Sequence, residues 1–293
     1  MSYEIGNISF KVPILNASGC WSNNEEQLTE LYESKLGGIV AKTCTIFSKE
    51  GNKEPNYYQI ENNNIHFNSK GLPNLGYQYY KGLSKKFTEK PFILSIAFED
   101  LEKLKVLLKD YDNYIENEML VEFNLSCPNT DNEIPGYKLE FLESLLVSLI
   151  CMKLTKIRFG FKLPPYFQKQ EITNLCKIFN DCNSILSYIV VSNSIPNCLP
   201  LNKGSPVLLT NFGGMSGKIN KYIALGNVVL FSQQLNKKIK IVGCGGIDTI
   251  YDINDYLNNG ADFVQIASCF YDQVNNKLNI EKINNLINNY LKK

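Results

Sequence analysis

Eight short, mainly apolar runs, rich in β-branched residues, most restrict what this chain can fold into. They lie at 14–16, 38–41, 92–97, 120–125, 157–162, 188–191, 239–242 and 262–266. Continuous rather than alternating apolar runs of this length suit strands buried on both faces. Helical apolar spacing fills several of the gaps, at 99–108, 139–149, 171–179 and 219–235. Strand and helix in alternation imply a parallel sheet, and eight strands suit closure into a (β/α)8 TIM barrel. The alternative is a doubly wound open sheet. It needs a Gly-rich turn after its first strand, and Asn16-Ala17-Ser18-Gly19 matches that only weakly. Residues 3–12 are expected to form a hairpin closing the barrel bottom. With no linker or composition shift, residues 1–293 are expected to be one domain, and 44% hydrophobic content supplies its core.

Composition excludes several function classes. A formal net charge of +1 gives no field for a polyanionic partner, so neither nucleic acid nor a charged membrane surface is expected. The start Met1-Ser2-Tyr3-Glu4-Ile5-Gly6 has no basic or apolar leader, and no apolar run approaches the roughly eighteen residues of a membrane span. Nine cysteines include no CxxC pair, and His66 is the single histidine. That argues against zinc and iron–sulfur sites, so no metal is expected, and reduced thiols point to a cytoplasmic protein.

Polar residues gather directly after the strands. Lys42-Thr43 follows the second and Asn124-Leu125-Ser126-Cys127-Pro128-Asn129 the fourth. Lys162 ends the fifth, Ser192-Asn193-Ser194 follows the sixth, Gly243-Cys244-Gly245-Gly246 the seventh and Ala267-Ser268 the eighth. In an α/β barrel these positions converge on one face, where active sites are built. Gly245-Gly246 and Ala267-Ser268 offer backbone N–H groups to an anion, and Gly213-Gly214-Met215-Ser216-Gly217 is expected to add the amides of a following helix. Each glycine alone reads as a tight turn; three clusters at these positions favour a cofactor bearing phosphate. Lys42 and Lys162 sit among apolar strand residues, where a cation needs a partner such as a carboxylate or an electron-rich cofactor. Most of the cysteines read as inert packing. Cys127 differs, because Asn124 and Asn129 flank it and amide side chains suit a ring of alternating donors and acceptors. With no histidine beside it, Cys127 reads as a base rather than as half of a Cys–His pair.

Taken together, these segments resemble the dihydroorotate dehydrogenase family, in its soluble class 1A branch. The match runs in order through Asn16-Ala17-Ser18-Gly19, Ala41-Lys42-Thr43, Asn68-Ser69-Lys70-Gly71-Leu72-Pro73-Asn74 and Asn124-Leu125-Ser126-Cys127-Pro128-Asn129. It continues through Phe161-Lys162-Leu163-Pro164-Pro165-Tyr166-Phe167, Ser192-Asn193-Ser194, Gly243-Cys244-Gly245-Gly246 and residues 260–266. The resemblance implies FMN at the barrel mouth, oxidation of dihydroorotate to orotate in pyrimidine biosynthesis, and fumarate as acceptor. It implies that Cys127 takes the C5 proton as hydride leaves C6. Asn68, Asn124, Asn129, Asn193 and Ser194 would hold the pyrimidine, while Lys42 and the backbone of Gly71-Leu72 meet its carboxylate. Ala17, Ser18, Lys42, Asn124, Lys162 and Ser192 would line the cofactor, with Lys162 near N1. Ser216-Gly217, Gly245-Gly246 and Ala267-Ser268 would hold its phosphate. A homodimer is also implied.

Departures from the family pattern stand at Lys70, usually Met, at Ala267-Ser268, usually Gly-Thr, and at Gln168, usually Asp; the chain also stops early, at Lys293. Two alternatives follow. One is a class 1B catalytic subunit passing electrons to NAD through a partner chain, for which Gly213–Gly217 has some likeness. The other is a flavin- or pyrimidine-binding protein without turnover, against which Cys127, Lys42 and Lys162 argue.

Overall fold

The computed structural model describes residues 3–60, 64–127, 133–272 and 277–292. Asn129 and residues 61–63 of the Asn-rich stretch lie outside them. Eight parallel strands form one sheet: β1 (Ile14–Asn16), β2 (Ile39–Val40), β3 (Phe92–Ile96), β4 (Met119–Asn124), β5 (Ile157–Lys162), β6 (Leu186–Val191), β7 (Lys240–Cys244) and β8 (Phe263–Ile266). Their lateral order is β1-β8-β7-β6-β5-β4-β3-β2. The ends meet through a parallel bridge between Leu15 and Gly38, with the Gly37 N–H donating to the Ile14 carbonyl at 2.9 Å. Asn16 strengthens this short seam. Its Nδ2 donates to the Val40 carbonyl at 2.8 Å, and its Oδ1 accepts from the Val40 N–H at 2.9 Å, so one side chain does the work of a ladder pair. The fold is the expected (β/α)8 barrel.

Each strand is followed by a helix: α1 (Glu25–Glu33), α2 (Tyr77–Ser84), α3 (Leu101–Tyr114), α4 (Leu139–Met152), α5 (Lys169–Asp181), α6 (Lys221–Ser232), α7 (Ile250–Asn258) and α8 (Ile280–Leu291). Strand parity separates two cores. Val121, Phe123, Phe159, Phe161, Ile189 and Val264 face the helices, while Leu120, Tyr188, Val190, Val242 and Phe263 face the barrel axis. The helical expectation at 99–108 shifts because the Asp100 carboxylate caps the Glu102 and Lys103 N–H groups; Tyr111, fully buried, carries the pattern one turn further. Gln168 proves to be the exposed residue before α5. Its N–H donates to Glu171 Oε2 at 3.1 Å, so this departure concerns a helix start.

The N-terminal hairpin of Tyr3–Ile5 and Ile8–Phe10 is present as expected. Phe10 packs edge-on to Phe263 at the base of β8, with ring centroids 5.1 Å apart, and plugs the bottom. Sequence reasoning did not anticipate a four-stranded antiparallel sheet made of Tyr57–Ile60, Ile65–Asn68, Gly213–Gly217 and Ile195–Cys198. It grows from the chain after β2 and after β6, and so covers the C-terminal mouth. No helix among the described residues is long and apolar enough to cross a membrane.

Candidate active site

The mouth is lined by side chains that leave the strand ends pointing inward. Asn124, the last residue of β4, accepts at Oδ1 from the Ser126 N–H at 3.2 Å and from Asn193 Nδ2 at 3.3 Å. Its Nδ2 reaches Thr43 Oγ1 at 3.4 Å. Asn193 accepts at Oδ1 from the Ser194 N–H at 2.8 Å, which fixes its amide from below. Asn68 comes from the covering sheet and donates to the Gly214 carbonyl at 3.4 Å. Gly214 is glycine for a local reason: a Cβ there would collide with Ser194 Oγ. Gly71 and Leu72 follow with φ of 69° and 54°; a leucine in the left-handed region is strained backbone, which clusters at functional sites.

Two buried cations face this amide cluster. Lys42, 9% exposed, donates to the Gly19 carbonyl at 3.4 Å, and among the described residues no carboxylate is one of its hydrogen-bond partners. Burial pushes its ammonium down, opposed by the Cys20 thiol and assisted by the Lys70 charge. Lys162, 4% exposed, donates to Gln265 Oε1 at 3.1 Å and to Cys244 Sγ at 3.8 Å. The Lys70 ammonium lies over the Tyr57 ring, 5.6 Å from its centroid. Cys127 is half-buried. Burial pushes its thiol up to about 11, with Lys49 and Lys42 drawing it down and Glu99 opposing them. The thiol is therefore the resting form at neutral pH, and a base role needs a small thiolate fraction to act.

At the opposite rim, Gly245 and Gly246 have φ of 140° and 62°. A Cβ on Gly246 would lie 2.7 Å from Lys221 Cβ and 2.9 Å from the Lys218 carbonyl, so the turn is packed backbone to backbone against the start of α6. Asn220 in that start donates to the Asn193 carbonyl at 3.0 Å, and its buried Oδ1 has no partner among the described residues. Ser268 begins a 3-10 turn directly after Ala267. Ser216 and Gly217 depart from expectation. Gly213–Gly217 is a strand, with Ser216 opposite His66, and a 3-10 turn at Lys218–Asn220 separates it from α6. Those residues therefore reach the rim from the covering sheet. Ala17 and Ser18 lie at the end of β1, where Ser18 Oγ, Thr43 Oγ1 and Ser95 Oγ form a chain with both links 2.9 Å. Ser192 is buried after β6, its N–H held by the Cys244 carbonyl at 2.9 Å.

The donor set fits a flavin mononucleotide: buried ammonium groups on one side, glycine turns on the other, and hydroxyls between. Sequence reasoning missed Ser95, Glu122, Gln265 and Asn220. Ser95, Glu122 and Gln265 are fully buried polar residues inside apolar strands. Glu122 in Leu120-Val121-Glu122-Phe123 was the available signal, since its parity matches the barrel-facing side.

A parallel eight-stranded barrel with its polar, cationic residues gathered at the C-terminal mouth belongs to the class of α/β-barrel enzymes. The family model described as Dihydroorotate dehydrogenase matches residues 1–291. A "Dihydroorotate dehydrogenase (fumarate)" of Lachancea kluyveri is 34% identical over 282 residues, covering 91% of this chain and 86% of that protein. The "Dihydroorotate dehydrogenase A (fumarate)" of Lactococcus lactis is 35% identical, covering 91% and 87%. A crystal structure of DHODH from Eimeria tenella in complex with ferulenol superposes with a TM-score of 0.78 at 16% identity, over 99% of this chain and 84% of that one, which bears on the fold alone. The chain belongs to the dihydroorotate dehydrogenase family, and its similar relatives carry the fumarate-type name.

Proposed function

We propose that this chain is a cytoplasmic, fumarate-type dihydroorotate dehydrogenase of pyrimidine biosynthesis, acting as one FMN-binding barrel domain. The observation that carries the reading is the meeting of Asn68, Asn124 and Asn193 with Lys42, Lys162 and Cys127 at one mouth, in a chain of this family. The amides offer alternating donors and acceptors to a pyrimidine ring, joined by Ser194; Asn129, which the family resemblance gives the same role, lies outside the described residues. Lys42 and the backbone of Gly71-Leu72 meet the substrate carboxylate. Cys127 receives the C5 proton, helped by the cations that already pull its thiol down. FMN, when bound, supplies the hydride acceptor for C6. Lys162 would stabilise the negative charge that a bound flavin gains on reduction, which is electrostatic preorganisation. Ala17, Ser18, Ser192, Ser216 and Gly217, with Gly245, Gly246, Ala267 and Ser268, would hold the cofactor's polar groups and phosphate. Apolar Leu199, Leu201, Leu209 and Phe212, exposed by 44–57%, suit a homodimer contact beside the covering sheet.

The test is anaerobic mixing of the purified protein with dihydroorotate while flavin absorbance is followed, then addition of fumarate or NAD. Bleaching with recovery on fumarate is the expected result. Recovery only with NAD and a second chain moves the acceptor to a partner, and a bound flavin that never bleaches sinks the assignment of substrate.

A further inference from the structure

Below the mouth, the barrel interior holds a carboxyl and an ammonium joined through a neutral amide. Glu122 of β4 is fully buried and Lys162 of β5 nearly so. Gln265 of β8 stands between them: its Oε1 accepts from Lys162 Nζ at 3.1 Å, and its Nε2 donates to Glu122 Oε2 at 2.7 Å. The Tyr188 hydroxyl donates to the same carboxylate oxygen at 3.5 Å, its ring filling the space that Gly160 leaves open. Glu122 Oε1 has no partner among the described residues. Burial pushes this carboxyl up, while the Lys162 charge and the hydrogen bonds from Gln265 and Tyr188 pull it down.

A buried ammonium and a buried carboxylate attract strongly, because little solvent screens them. A flexible lysine stem would let the two collapse into a contact pair, drawing the ammonium away from the mouth. The amide stops that, since each end of Gln265 is claimed by one charge. We propose that Gln265 is a positioning residue for Lys162: it holds the ammonium apart from the buried Glu122 carboxylate, so that the ammonium stays at the mouth instead of dropping onto the anion below it. This rests on reading the mouth as a flavin site.

Sulfite binds a flavin more tightly the more positive charge lies beside its pyrimidine end, so its dissociation constant reads the position of Lys162 without turnover. In the FMN-loaded protein, Gln265→Met leaves the charge inventory unchanged yet lets Lys162 drop onto Glu122; sulfite affinity falls about tenfold. Glu122→Gln keeps an acceptor for the Gln265 amide and removes only the anion, so sulfite binds at least as tightly as in the wild type. Adding Glu122→Gln to Gln265→Met removes the pull and restores affinity. A Gln265→Met protein with unchanged sulfite affinity, or a double variant no better than Gln265→Met, overturns the proposal. Where Gln265→Met does not fold, Glu122→Gln alone decides, and weaker sulfite binding than wild type overturns it. A wild-type protein that takes up no FMN removes the functional reading itself, whereas flavin uptake with the wrong order of variants removes only this inference.

Discussion

At the scale of single residues, Cys127 carries the sharpest expectation. Cys127→Ala should keep the flavin spectrum and lose dihydroorotate-driven bleaching by about 10²–10⁴-fold, the usual worth of a positioned base. Stopped-flow absorbance measures it, and unimpaired bleaching would exclude the role. Because the free thiol is pushed up to about 11, the thiolate fraction grows tenfold per pH unit below that value. The second-order rate of flavin reduction should therefore rise with pH through the neutral range and level off only towards that value. A profile already flat at pH 7 would show that another group accepts the proton. Lys70, by contrast, holds its ammonium over Tyr57 and uses its carbonyl to accept from the Asn52 N–H at 2.8 Å. Half-exposed charge is well screened, so Lys70→Met should move KM for dihydroorotate by less than about threefold. A large switch of substrate preference in competition assays would contradict this. Cys127 and the two lysines were legible because each interrupts an apolar run or sits in an amide-rich turn. Glu122 and Gln265 were not, since one polar residue within a strand resembles noise until strand parity shows it facing the axis.

Among elements, the turn after β7 is the tightest constraint on the rim. Gly246→Ala would require a side chain at φ 62° and press its Cβ against the backbone of Lys218 and Lys221. The expected cost is about 1–3 kcal/mol, together with faster loss of FMN on dialysis. Thermal melting and flavin content after desalting test both, and unchanged retention would place the phosphate elsewhere. The eight barrel strands were legible from continuity of apolar residues alone. The covering sheet was not, because its pairs join segments about 150 residues apart, such as Gly214 with Asn68, and no local pattern encodes that. Its Gly-rich strand also imitates a turn before a helix, which misplaced Ser216 and Gly217.

Across the whole molecule, the two barrel ends divide the labour: a plugged bottom serves stability, and the covered mouth gathers the proposed site. Phe10→Ala should cost about 3–5 kcal/mol in urea unfolding, the range for emptying a buried aromatic site, and leave sulfite affinity of the bound flavin unchanged. A shift in that affinity would mean that the two ends are coupled. Asn16 shows how thin the boundary between them is at one point, since the β1–β2 seam relies on a side chain that stands at the very edge of the mouth. The one histidine has a practical consequence. His66 sits in the covering sheet, its imidazole between the Tyr57 hydroxyl and Asn64 Oδ1 and opposite Ser216 across the ladder. A proton NMR spectrum of this protein contains a single pair of imidazole signals, which need no assignment. Those two lines amount to a built-in gauge of the roof, able to follow cofactor arrival in real time without any label.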